Sequence, residues 1–177
     1  MVRSIVIPHD PARSPRLRHL ATAGDFQEAV DGWLEPIEMP AVGVTVYVNE
    51  AARREHYPIN CRAMALWWLY SADPTQYPVF LGNAVLTSAS DHGDEGSLME
   101  RIIGDVFEQR EFVVQVRPFG HTAWRDSLAR FENVFDAATW CMLFSHTLRH
   151  GALLRLQSRI REPESCDESF EESDALW

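Results

Sequence analysis

Phe26-Gln27-Glu28-Ala29-Val30-Asp31-Gly32-Trp33-Leu34-Glu35 passes from a helical to an extended period within ten residues, and the fold is read outward from it. Phe26, Ala29, Val30 and Trp33 recur at helical spacing, and Asp25 with Glu28 three residues later reads as a reciprocal N-terminal cap. Gly32 ends that helix, and residues 34–39 return as a strand before Pro40. Residues 44–48, Val-Thr-Val-Tyr-Val, are a β-branched run and predict another strand.

Pro58-Ile59-Asn60-Cys61-Arg62-Ala63-Met64-Ala65-Leu66 then predicts a second helix capped by Asn60. Ala63, Met64, Trp67 and Tyr70 supply its buried stripe, Trp68 widens the apolar surface, and Asp73-Pro74 stops it. Residues 79–87, around Leu81-Gly82-Asn83-Ala84-Val85-Leu86, read as a strand, with Gly82 marking a bulge or close approach. Upstream, residues 3–9 alternate around Ile5 and Ile7 as a strand closed by Pro8, and residues 10–24 read as a loop. The order β-α-β-β-α-β is that of the split βαβ, ferredoxin-like module.

Downstream, residues 89–96 form a polar linker, and Ser97 with Glu100 caps a helix carrying Leu98, Ile102, Val106 and Phe107 on one face. Residues 112–116 and 124–131 predict two strands. Asn133 caps a helix with Val134, Ala137, Ala138, Cys141, Phe144 and Leu148 inward, and Gly151 closes it before a strand over 152–156. The expected class is α+β. A β-α-β-β-α-β module over 1–88 is followed by the 89–96 linker, an α-β-β-α-β segment over 97–161 packed on it, and an acidic tail over 162–177. The second segment is too small to bury a core of its own, so it is expected to share apolar surface with the first. The tail is aperiodic and rich in acid and Ser, the composition of a disordered extension.

The formal charge is −10, and all sixteen basic residues are Arg. Glu162, Glu164, Asp167, Glu168, Glu171, Glu172 and Asp174 follow the last Arg, so residues 1–161 carry only −3 of that total. The Arg residues are scattered along the chain without a stripe, and direct nucleic-acid binding is not expected. The Arg-only usage fits a high-GC bacterial genome or an element living in one. No run reaches the ~18 apolar residues of a membrane span, and the apolar run in residues 1–8 is too short for a secretory signal. A cytoplasmic location, in a bacterial host, is expected. Three cysteines, Cys61, Cys141 and Cys166, without a Cys-x-x-Cys pair, argue against a disulfide framework, and Cys61 and Cys141 read as small core residues.

Together with Val46-Tyr47-Val48-Asn49-Glu50, the quoted landmarks resemble in order and spacing the domain of unknown function 3846 family, over about residues 3–88. That family is found in bacteria, plasmids and phages, so the resemblance implies a phage or mobile-element protein without assigning its role. Its polar landmarks here are Asn49, Glu50, Asn60, Arg62, Gly82 and Asn83. Arg62 sits in a first helical turn, where the dipole opposes a cation, so Glu50 is expected to pair with it.

No catalytic residue, metal or cofactor is expected. His146 and His150 have the i, i+4 spacing of metal ligands, but both lie near a helix C-terminus, where the dipole favours His. Asp91-His92-Gly93-Asp94-Glu95-Gly96 lacks the ligand spacing of a calcium loop. Cys61 with His56 is the nearest nucleophile–base pair, and a structural thiol is the nearer reading. No phosphate-cradling Gly-rich loop and no Gly-x-Ser-x-Gly elbow is present. The tail places Phe170, Leu176 and Trp177 among Glu171, Glu172 and Asp174, a pattern that can dock on a basic, apolar groove of a partner. Six Trp exceed the need of one compact core, and Trp is enriched at interface hot spots. The expected function is therefore an accessory protein that binds a host or phage protein, with inhibition of a host or defence enzyme as one form of it. The alternative is a small hydrolase or ligand-binding domain with its site near Glu50, Arg62 and Asn83.

Overall fold

In the computed structural model, residues 1–39, 43–71, 78–88, 98–148 and 152–160 are described. Strand β1 (Val2–Ile7) is followed by β2 (Arg16–Leu20), α1 (Ala23–Val30), β3 (Leu34–Met39), β4 (Val44–Asn49), α2 (Cys61–Tyr70) and β5 (Ala84–Ser88). The second half holds α3 (Leu98–Phe107), β6 (Arg110–Pro118), β7 (Arg125–Phe131), α4 (Val134–Leu148) and β8 (Ala152–Ile160). The class is α+β, as the periodicities predict.

Where a loop is predicted over 10–24, β2 pairs antiparallel with β1, Leu20 opposite Val2 and Arg16 opposite Val6. An edge strand needs no apolar alternation, and charged side chains guard it against further pairing; of its five residues only Leu20 is buried. The five-stranded sheet runs β2-β1-β5-β4-β3 with every neighbouring pair antiparallel. This departs from the split βαβ order. The β1–β2 hairpin reverses the chain before α1, so α1 carries it from one edge strand to the opposite edge, parallel to β2. β5 then inserts between β1 and β4.

Local signals explain the shifts in element ends. Helix α1 is capped by Thr22: its hydroxyl accepts from Asp25 N at 3.2 Å while the Asp25 carboxylate accepts from Thr22 N at 2.9 Å. The cap therefore sits three residues before the predicted one, with Asp25 as the reciprocal partner. Backbone N–H groups of Ala21 and Thr22 hold the Asp25 carboxyl below its ordinary value. The helix ends at Asp31 in a left-handed conformation (φ 61°), and Gly32 follows because a Cβ there would collide with the Asn49 side chain. Residues 79–83 are not a strand: Gly82 turns the chain at φ +70°, with Tyr57 Cδ1 2.9 Å from where a Cβ would lie.

On one sheet face, Val6, Leu20 and Val85 pack against Ala29 and Val30 of α1. The other face presents Ile5, Ile7, Val46 and Leu86 to Leu66, Trp67 and Tyr70 of α2. The same cluster continues through Ile102 and Ile103 of α3 and Val134 and Ala137 of α4 to Phe112 of β6. Both halves therefore share one core, as a segment too small to bury its own requires. Helix α4 packs on α2 and covers the inner face of the three-stranded antiparallel sheet β7-β6-β8. Among the described residues no helix is long and apolar enough to cross a membrane.

Cys141 is core, and burial pushes its thiol up to about 12. Cys61 is not: it is exposed at the first position of α2, because that helix end opens onto a cleft. Ser97, residues 91–96, the His146 side chain, His150 and Gly151 lie outside the described residues, as does the whole tail, including Phe170, Glu171, Glu172, Asp174, Leu176 and Trp177.

Candidate functional site

Alternation along the small sheet sends Phe112, Leu156 and Phe131 into the core and leaves the opposite face to Gln115 and Arg117 of β6 and Arg155 and Arg159 of β8. From β7, Asp126, Leu128 and Arg130 join that outer face. On this face Leu128 is fully exposed and Leu153 is 53% exposed, whereas Val113 and Gln115 of the central strand are buried.

A hydrogen-bonded chain fixes this surface. Arg155 Nε donates to Gln115 Oε1 at 2.8 Å, and Gln115 Nε2 donates to Asp126 Oδ1 at 2.7 Å. Arg159 Nη2 donates to Asp126 Oδ2 at 2.8 Å, with Arg130 at 3.9 Å from the same oxygen. The Gln115 and Arg159 bonds hold the Asp126 carboxyl below its ordinary value, so it stays ionised. At the end of this chain lies Trp124. The Arg117 guanidinium carbon is 4.9 Å from its ring centroid and that of Arg155 is 4.4 Å.

Each stack gains about 0.5–1 kcal/mol at an exposed site, but two cations on one indole repel each other. Neither Arg117 nor Arg155 has a carboxylate partner among the described residues. A carboxylate reaching both would relieve that repulsion and form charge-assisted bonds. Leu128 and Leu153 offer apolar contact beside it.

These residues were not legible as a stripe. Arg117, Arg130, Arg155 and Arg159 are scattered in sequence, and only the pairing of β6 with β7 and β8 gathers them on one face. The available signal was alternation in Ala152–Ile160, which puts Leu153, Arg155, Gln157 and Arg159 on one side.

Arg62 does not pair with Glu50. Its guanidinium instead donates to the carbonyls of Pro8, Asp10 and Arg13, at 2.7, 2.7 and 2.9 Å, because the β1–β2 connection folds over the start of α2. Three carbonyl oxygens provide the negative end that the helix dipole denies it. Asn83 is equally committed: its carbonyl oxygen accepts from His9 N at 3.2 Å and its amide donates to Ala29 O at 3.3 Å. Glu50, Arg62 and Asn83 line three separate cavities and are not brought together.

The largest of these, about 590 Å³, lies beside Cys61 and Arg62, with Phe135 and Asp136 of α4 on the other wall. No hydrogen bond joins His56 to Cys61; His56 occupies a left-handed turn (φ 57°). Among the described residues no group of three or more His, Cys, Asp or Glu is placed to hold a metal ion.

The model of a family described as "Domain of unknown function (DUF3846)" matches residues 2–111. The match passes residue 88, where the resemblance read from the sequence stops, and takes in α3 and the start of β6. No curated protein and no solved structure matches the chain.

Proposed function

The chain belongs to the DUF3846 family, and on that premise we propose that it is an accessory protein of a phage or mobile element that acts by binding another protein. The observation that carries this reading is the outer face of the small sheet, where Arg117 and Arg155 flank Trp124 without a carboxylate partner among the described residues. Trp and Arg are the residue types that dominate interface energetics when a partner excludes water from them. The partner segment that fits is acidic and carries aliphatic or aromatic side chains. A host or defence enzyme presenting such a segment is the target class.

Affinity capture with the wild-type chain and with Trp124→Ala tests it. A partner held by the wild type should be recovered at least about tenfold less by the variant, the loss expected of a hot spot, with thermal stability unchanged. Equal recovery by both proteins removes the small sheet as the binding surface.

A further inference from the structure

We infer that the resident occupant of the Arg117–Trp124–Arg155 face is the acidic C-terminal segment of the same chain, residues 162–177, which a partner must displace. This rests on that face being the binding surface inferred above.

Charge is the first argument. The segment carries seven carboxylates and no basic residue, whereas the face holds four guanidiniums against two carboxylates: Asp126, shared by Arg130 and Arg159, and Glu111, in register with Arg159, while the two guanidiniums on Trp124 have no carboxylate partner among the described residues. A carboxylate-bearing peptide neutralises what the folded body leaves open.

Reach is the second. Strand β8 is itself part of the face, and Ile160 stands five residues beyond Arg155, about 17 Å at ~3.4 Å per strand residue. Phe170 follows Ile160 by ten residues, which span up to about 33 Å when extended. The segment can therefore turn back over the strand it leaves and bring Glu171, Glu172 and Asp174 to the Trp124 cluster. Phe170, Leu176 and Trp177 would then meet the exposed Leu128 and Leu153.

Tethering is the third. Ten residues of connection hold the segment at an effective concentration of the order of millimolar, so a contact too weak to form between free molecules is occupied within one chain. The competing basic surface is the cavity beside Arg13, Arg16 and Arg18, but Glu28 and Asp31 line it with them and offset its charge.

The experiment follows the Trp124 indole N–H resonance, assigned with Trp124→Phe, in the full-length chain and in full-length E168Q/E171Q/E172Q/D174N. The resonance should differ between them, independently of protein concentration. A synthetic peptide of residues 162–177 added to the neutralised chain should restore it. That restoration should weaken at least about tenfold when R117S/R155S is added, and not when R13S/R16S/R18S is added. Identical Trp124 resonances in the two chains, loss of restoration through the Arg13 cluster, or a difference that vanishes on dilution would each overturn the inference. If Trp124 ignores the tail but Trp124→Ala loses the partner, the function stands and cis occupancy falls. If Trp124 senses the tail but Trp124→Ala keeps the partner, cis occupancy stands and the function falls.

Discussion

The Tyr70 hydroxyl donates a hydrogen bond to Asp105 Oδ2 at 2.5 Å, tying the last residue of α2 to the last turn of α3. Asp105 is 5% exposed, and its other oxygen meets Arg110 Nη1 at 3.3 Å at the start of β6. Arg110 in turn reaches Ser158 Oγ on β8 at 3.1 Å. One buried carboxylate therefore links the five-stranded half to the three-stranded half. All three of Tyr70, Asp105 and Arg110 fall inside the region that the family model matches.

Tyr70→Phe removes the donor and leaves Asp105 buried with one partner fewer. Loss of a hydrogen bond to a buried charged group costs about 1.5–3 kcal/mol, so an unfolding free energy lower by that amount, with a lower denaturant midpoint and the slope unchanged, is expected. A neutral result would mean that Arg110 and Arg101, the latter 3.8 Å from the same Oδ2, suffice for Asp105.

The alkaline limb of stability should be steep. Burial, then the Asp105 charge and hydrogen bond, raises the Tyr70 phenol above its ordinary value of 10.0. Burial raises the Cys141 thiol from 9.0 to about 12. Both groups are held in their neutral form by the fold, so their contribution is fully present below the unfolded values. It is lost as pH rises, from about 9 for Cys141 and from about 10 for Tyr70, at up to ~1.4 kcal/mol per pH unit for each group. Thermal melts between pH 7 and 11 check the sign, and Tyr70→Phe should flatten the part above pH 10.

Asn60 performs two tasks at once. Its carbonyl oxygen accepts from Ala63 N at 3.0 Å to cap α2, while its amide donates to Ile7 O and Gly82 O, both at 2.9 Å. Asn60→Ala loses the cap and leaves two buried carbonyls without that donor, a cost of about 2–4 kcal/mol. Asn60→Asp keeps the cap acceptor but turns an oxygen toward those carbonyls. It should be no more stable than the alanine variant by chemical denaturation.

Arg62→Ala should loosen the β1–β2 connection, since three carbonyls lose their shared donor. Amide exchange in residues 10–16 is expected to quicken while that of β4 stays slow. Arg62→Lys places an ammonium on a shorter stem where one guanidinium nitrogen, Nη2, met all three oxygens, and should recover part of the protection.

Helix α2 and its cap were legible because Asn60 and the apolar run after Pro58 obey local rules. Likewise, residues 112–116, Phe-Val-Val-Gln-Val, announced β6 through a local β-branched run. Strand β2 was not, because Arg16-Leu17-Arg18-His19 carries no apolar period, and its pairing with β1 is a tertiary fact. Nor was the partner of Arg62: backbone carbonyls have no letter in a sequence, so a search for charged partners finds Glu50 instead. The Trp124 cluster was hidden for a related reason. Arg117 and Arg155 become neighbours of one ring only through the register of β6 with β8, where Arg117 faces Leu153 and Arg155 faces Gln115.

Ser4 is registered against Thr87, so β1 waits for a neighbour roughly eighty residues further along the chain. During synthesis the first hairpin leaves the ribosome well before that neighbour exists, and long-range pairing of this kind is slow to close. A nascent chain halted before β5 emerges would hold β1 with one open edge, offering its unpaired backbone groups to whatever chaperone is at hand.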